Sequence, residues 1–342
     1  MTQAIKTLLN LKVVVRMSKK LKKPIDIQEY VPINGINQFL YHQGTSYNNP
    51  VLLYLHGGPG SAESLFAHAF QDKWEERFTV VHWDQRGAGK TLSKNPDQYP
   101  TIELMLQDLS EVVQYLKKRY HKQKIVLLGH SWGSVLGSVY IKKHPEDIVY
   151  YIGTSQVINM LENEQVGYNR VKELIIQADD EKSLRKLEAI GAYPGYKVSF
   201  DKEFMKKCNK VRALQSKYKL SSESFFSIFS IVRKSPIFQM SDFFAFMKIF
   251  KVNQKVYSFF SNFNLWTESK EYKVPIYFIL GGNDWQAPYV IAEKYFNEII
   301  APRKNIYLIP NARHMAMLDQ PDLFYQSLFD IYDKEKTAVK AN

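Results

Sequence analysis

The chain has 342 residues, 45% of them hydrophobic, and carries a formal net charge of +12. That length and apolar share suit one large domain, or a domain with an insertion, and exclude a polar unfolded chain. No run approaches the ~18 consecutive apolar residues of a membrane span. The lone cysteine, Cys208, excludes an intrachain disulfide and points to a reducing, cytoplasmic setting.

Basic residues cluster at Lys19, Lys20, Lys22 and Lys23 and are otherwise scattered. No nucleic-acid motif accompanies them, so they read as a solvated surface, with weak contact to an anionic surface open to the N-terminal cluster. Residues 8–16 read as an extra N-terminal helix or strand. Asn10 and Lys12 interrupt the apolar run, and no small-residue cleavage site follows, so the segment does not fit a secretory leader.

Residues 28–41 predict two strands around Asn34-Gly35, the favoured hairpin dipeptide. Val51–Leu55 is a continuous apolar strand, as in a sheet buried on both faces. It runs into His56-Gly57-Gly58-Pro59-Gly60, a loop whose glycines leave backbone N–H groups free to face a ligand. A helix is predicted over 62–76, a strand over 78–83, and an amphipathic helix over 102–119. Strands at 125–128 and 148–152 flank a helix over 134–141. Strand–helix alternation resumes at 276–280 and continues through a helix near 289–299. A strand at 306–309 and a last helix at 323–333 follow. This alternation predicts an α/β fold with a mostly parallel, helix-covered sheet.

From about Gln156 to Thr267 the pattern is helical instead. Eleven of the 21 phenylalanines fall between Phe225 and Phe263, so this stretch buries an apolar mass of its own. We expect an inserted helical cap at 156–267 between two parts of the α/β core, 1–155 and 268–342. The Phe-rich part is expected to form an apolar wall over the site.

The chemistry centres on Gly129-His130-Ser131-Trp132-Gly133, which lies between a strand and a helix. That context makes G-x-S-x-G a nucleophile elbow, a turn too tight for side chains on either side of the serine. A serine needs a base to take its proton and an acid to orient the base. Asp284 follows the strand at 276–280 and His314 follows the strand at 306–309, in the chain order this fold requires. The backbone N–H of Trp132, with one from Gly57 or Gly58, would form the oxyanion hole. His130 is expected to pack beside the nucleophile, and His56 and His82 to be structural. No spacing suggests a metal site, and no cofactor is implied.

His56-Gly57-Gly58-Pro59-Gly60, Trp83-Asp84-Gln85-Arg86-Gly87-Ala88-Gly89 and Gly129-His130-Ser131-Trp132-Gly133-Ser134 together resemble the proline iminopeptidase family of α/β-hydrolases. The resemblance covers roughly 28–155 and 274–330. It implies a Ser–Asp–His hydrolase with a helical cap, releasing an N-terminal residue from small peptides. In such enzymes acidic residues in or near the cap bind the substrate's amino group. Glu164, then Glu162, are the nearest candidates here, and Arg86 is expected to brace loops by ion pairing. Members preferring proline often carry Trp-Glu in the cap, whereas Trp266 is followed here by Thr267. A carboxylesterase for small apolar esters and a catalytically idle binding module are the alternatives.

Overall fold

The computed structural model describes residues 23–222 and 225–341. The expected N-terminal element at 8–16 and Lys19, Lys20 and Lys22 lie outside these residues. The core is a sheet of eight described strands: β1 Ile25–Ile33, β2 Ile36–Gly44, β3 Val51–Leu55, β4 Thr79–Asp84, β5 Ile125–His130, β6 Ile148–Thr154, β7 Ile276–Gly281 and β8 Lys304–Ile309. Their order is β1-β2-β4-β3-β5-β6-β7-β8. The β1–β2 hairpin and the β2–β4 pair are antiparallel, and the rest of the sheet is parallel. At the hairpin, Asn34 (φ 42°) and Gly35 (φ 77°) both take positive φ, as a type I′ turn requires. The central strands β3, β4 and β5 are buried throughout, which is why β3 and the Ile125–Leu128 part of β5 read as apolar runs, while β4 buries Thr79, His82 and Asp84 as well.

The first helices of the core are α1 Gly89–Lys94, α2 Ile102–Arg119 and α3 Trp132–Lys143. Helix α2 starts where Thr101 accepts from the Leu104 N–H, and it buries Met105, Leu109, Val112, Val113 and Leu116 against the sheet. The predicted helix over 62–76 is instead three short 3₁₀ turns, 63–65, 67–69 and 74–76. Glu63 and Ser64 turn inward, to Tyr54, the Gly57 N–H and Asp84. These tertiary bonds hold the backbone off a helical course that local propensity alone would allow.

Between β6 and β7 the described residues form helices and turns but no named strand. The helices are α4 Met160–Gln177, α5 Glu181–Glu188, α6 Lys202–Lys217, α7 Phe225–Val232, α8 Met240–Phe246, α9 Ile249–Val252 and α10 Gln254–Ser261. Side-chain oxygens of Asn159, Asp180 and Asp201 cap three of them. The chain then returns to β7, α11 Tyr289–Glu298 and β8. It finishes with α12 Ala316–Asp319 and α13 Pro321–Ala341, the last longer than predicted. None of the described helices is long and apolar enough to cross a membrane.

Candidate active site

Three parallel strands deliver the site at their carboxyl ends. Ser131 follows β5, Asp284 lies in the turn after β7, and His314 lies in the loop after β8. Ser131 sits at φ 51°, ψ −114°, a backbone conformation that a non-glycine residue adopts only under constraint. The constraint is visible on both sides. A Cβ on Gly129 would come within 2.5 Å of the Gly133 carbonyl oxygen, and one on Gly133 within 2.0 Å of the Leu55 carbonyl oxygen. Only glycine permits this approach of helix α3 to the strands. The Ser131 N–H donates to the Thr154 carbonyl at 3.1 Å, and the Ser134 hydroxyl donates to the Ser131 carbonyl at 2.6 Å.

The structure brings the three side chains together. Ser131 Oγ lies 3.0 Å from His314 Nε2, and His314 Nδ1 lies 3.0 Å from Asp284 Oδ2. All three residues are buried. Asp284 Oδ1 also accepts the backbone N–H groups of Gln286 (3.0 Å) and Ala287 (2.9 Å). Burial alone would raise the Asp284 pKa, but His314 and these N–H donors outweigh it and hold the carboxyl below its ordinary value. The His314 carbonyl is fixed as well. It accepts from the Ser155 hydroxyl at 2.7 Å and contacts His130 Nε2 at 2.9 Å.

Of the expected oxyanion donors, Gly57 is engaged elsewhere, because its N–H donates to Glu63 Oε1 at 3.1 Å. Glu63 also accepts from Tyr54 at 2.6 Å and binds His130 Nδ1 at 2.8 Å. Gly58 holds φ +114°, and a Cβ there would meet the Gly60 backbone nitrogen at 2.5 Å. Trp132 begins α3, so its N–H precedes the first intrahelical hydrogen bond.

His130 packs beside the nucleophile as expected. His56 is held neutral: burial lowers its pKa, Nδ1 faces the Gly57 carbonyl at 2.8 Å, and Nε2 accepts the Gln85 N–H at 3.2 Å. His82 is buried against Gln71. Arg86 binds Asp108 through two nitrogens and reaches the Asn34 carbonyl, so it ties the loop after β4 to α2 and the hairpin.

The placement of the two expected amine anchors is a correction. Glu164 is buried and occupied by Arg212 and the Tyr193 hydroxyl, and Glu162 accepts from the Trp266 indole at 2.7 Å. Neither lines the cavity above Ser131. Two residues apart on α4, they point to different sides of the helix. The carboxylates that do line the cavity are Glu63 and Asp242, neither singled out by the sequence reading. Asp242 did carry a signal, as the sole acidic residue between Phe225 and Phe263.

The cavity has a volume of about 280 Å³. Ser131, His130, His314 and Gly58 form its floor. Its far wall is Ile228, Phe229, Val232, Phe238, Phe243 and Phe246, an apolar surface drawn from the Phe-rich segment. Set into that wall, Asp242 is buried. Its Oδ2 accepts from Lys90 Nζ at 2.9 Å and from the Gln239 N–H at 2.8 Å, while Oδ1 makes no hydrogen bond among the described residues. Below it, Asp84 accepts from Ser64 (2.6 Å) and the Lys90 N–H (2.8 Å). Burial above all pushes the Asp84 carboxyl up to about 6. Elsewhere among the described residues, His144, Glu146 and Asp147 bring three potential metal-ligand atoms together. Lys117, Gln114 and Tyr140 already engage Asp147.

A parallel sheet of this order, with a strained serine after β5 and its partners after β7 and β8, defines an α/β-hydrolase, and residues 50–321 match the alpha/beta hydrolase fold family. The chain belongs to this family, is a hydrolase, and is similar to aminopeptidases and proline iminopeptidases within it. It is 30% identical to the probable aminopeptidase YbaC of Bacillus subtilis, over 90% of this chain and 96% of that one. A proline iminopeptidase of Lacticaseibacillus rhamnosus is 25% identical over 87% of this chain and 95% of its own. The crystal structure of the Mycobacterium smegmatis proline iminopeptidase shares the fold. It has a TM-score of 0.63 at 17% identity, covering 92% of this chain and 100% of that one.

Proposed function

We propose that the protein is a serine aminopeptidase that releases an N-terminal residue from small peptides. In this reading Ser131 Oγ attacks the carbonyl carbon of the scissile bond as His314 Nε2 takes its proton. Asp284 holds the other imidazole nitrogen and stabilises the imidazolium that forms. The N–H groups of Trp132 and Gly58 receive the oxyanion. His314 then returns the proton to the departing amine, and water repeats the sequence on the acyl-enzyme. The 156–267 segment acts as the cap, and its phenylalanine wall takes an apolar first side chain. The single cysteine fits action in a reducing compartment such as the cytoplasm.

The observation that carries the peptidase half of this reading is Asp242 Oδ1. An ammonium held next to the scissile bond needs a buried acceptor, since an unpaired buried charge is prohibitively costly. Oδ1 is a buried acceptor with no hydrogen bond among the described residues, on a lining residue whose neighbours Phe229, Phe238, Phe243 and Phe246 are apolar. Lys90 balances only one of the two neighbouring carboxylates, Asp84 and Asp242. A negative charge therefore remains for the substrate whenever both are ionised.

The test compares an aminoacyl anilide bearing a free amino group, its N-acetylated twin and a neutral p-nitrophenyl ester. Asp242→Asn is expected to lower kcat/KM for the free-amine anilide by one to two decades, the worth of a charge-assisted hydrogen bond of roughly 1.5–3 kcal/mol. The ester rate should stay unchanged. Equal turnover of the blocked and free anilides would replace the peptidase by a carboxylesterase.

A further inference from the structure

Helix α8 is apolar on almost every side yet lies at the surface. A helix of that kind is ordinarily buried, and an exposed apolar face marks an interaction site. Its inner side supplies Phe243, Phe246 and Asp242 to the cavity. Its outer side, continued one residue beyond the helix, presents Met240 (62% exposed), Phe244 (60%) and Met247 (68%). These are spaced i, i+4, i+7, so they form one stripe.

Along the chain on either side of α8 the exposed charges have a single sign. Arg233, Lys234, Lys248, Lys251 and Lys255 are all exposed. The one acidic residue between Phe225 and Phe263, Asp242, is buried against Lys90. An apolar stripe whose flanking chain segments expose only cations matches one kind of surface, a bilayer with anionic headgroups. There the side chains enter the acyl boundary while lysine and arginine reach the headgroups. A second copy of the chain fits the face poorly, because it would bring the exposed Lys248 and Lys251 of one copy toward those of the other.

We propose that the α8 face, Met240, Phe244 and Met247 with Lys248 and Lys251, docks the enzyme reversibly on anionic lipid surfaces. Phe246 both lines the cavity and reaches the surface, so docking sets the cavity mouth toward the bilayer. Substrates with an apolar group would then be taken from the interface. The proposal stands whichever acyl bond Ser131 cleaves.

The experiment is co-sedimentation of the full chain with vesicles of phosphatidylcholine alone or of phosphatidylcholine with phosphatidylglycerol, at low and high salt. Binding is expected only with phosphatidylglycerol and should weaken with salt. Replacing Met240, Phe244 and Met247 together by Ser should lower the partition at least about tenfold. Lys248→Glu with Lys251→Glu should lower it by about fivefold or more per residue. Hydrolysis of a soluble p-nitrophenyl ester should be unchanged in both, which reports an intact fold. If the triple variant loses that activity, Phe244→Ser alone must show a measurable part of the same loss. Equal binding to both vesicle types overturns the proposal, as does no binding at all. Unchanged binding of the variants also overturns it, since it would place the contact in the N-terminal lysines. Binding to immobilised polyglutamate that rivals the vesicles and ignores the serine substitutions would make the partner an acidic polypeptide instead.

Discussion

His130 Nε2 lies 2.9 Å from the carbonyl oxygen of His314, and its Nδ1 lies 2.8 Å from Glu63 Oε1. The carbonyl can only accept, and so can Glu63 while it is ionised, so both imidazole nitrogens then donate and the ring carries a charge. Burial alone would lower the His130 pKa, but Glu63 outweighs it and holds the pKa above the ordinary value. The residue beside the nucleophile is thus a buried cation that steadies the loop bearing the proposed base.

This pair gives stability a defined pH dependence. The raised His130 contributes fully below its unfolded pKa of ~6.5 and stops contributing as pH rises through its higher folded value. Glu63 has a lowered pKa, because His130 and its hydrogen bonds outweigh burial. Its contribution is present above an unfolded pKa of ~4.3 and is lost as pH falls through the folded value. Glu63→Gln should therefore cost about 3 kcal/mol near pH 6, and less above the His130 titration. Urea unfolding of both proteins at several pH values checks this, and a constant difference across the range contradicts it.

Asp84, held at about 6, predicts a second pH effect, this time on substrate binding. Its neutralisation leaves the Lys90–Asp242 pair without residual negative charge. KM for a free-amine anilide should rise as pH falls through about 6, with the substrate amine (pKa ~7.7) protonated throughout. KM for the neutral ester should not follow. For stability the sign is opposite to that of a paired carboxylate. Ionised Asp84 costs stability above its folded pKa, and the cost vanishes below the unfolded value of ~3.9.

Gly58→Ala tests the oxyanion donor. The added Cβ would meet the Gly60 nitrogen at 2.5 Å and must displace the loop. The expected loss is ~10²–10³ in kcat with a smaller change in KM, the mark of an interaction made mainly in the transition state. A variant that changed KM alone would assign the loop to substrate binding.

Much of this was legible in the sequence because it is local. The Asn34-Gly35 hairpin, the apolar runs of β3 and β5 and the glycines around Ser131 each carry their geometry within a few residues. Asp284 and His314 could be placed because they follow predicted strands. What stayed hidden depends on contacts between distant parts of the chain. Glu63 meets His130 across 67 residues and Lys90 meets Asp242 across 152, and no periodicity encodes such pairs. The same blindness made Glu162 and Glu164 look available, although Trp266, Tyr193 and Arg212 occupy them. It also hid the inward turn of Glu63 and Ser64 that breaks the predicted helix over 62–76.

The central claim is that Ser131, activated by His314 and Asp284, is the nucleophile. A fluorophosphonate forms a stable adduct with such a serine, and peptide mass spectrometry locates it. The predicted result is one adduct, on Ser131, absent from Ser131→Ala and strongly slowed in His314→Gln. Ser131→Ala should also lose hydrolysis while unfolding like the parent, with a residual rate of no more than ~10³–10⁴ over water. An adduct on another residue, or undiminished turnover by Ser131→Ala, would contradict the account.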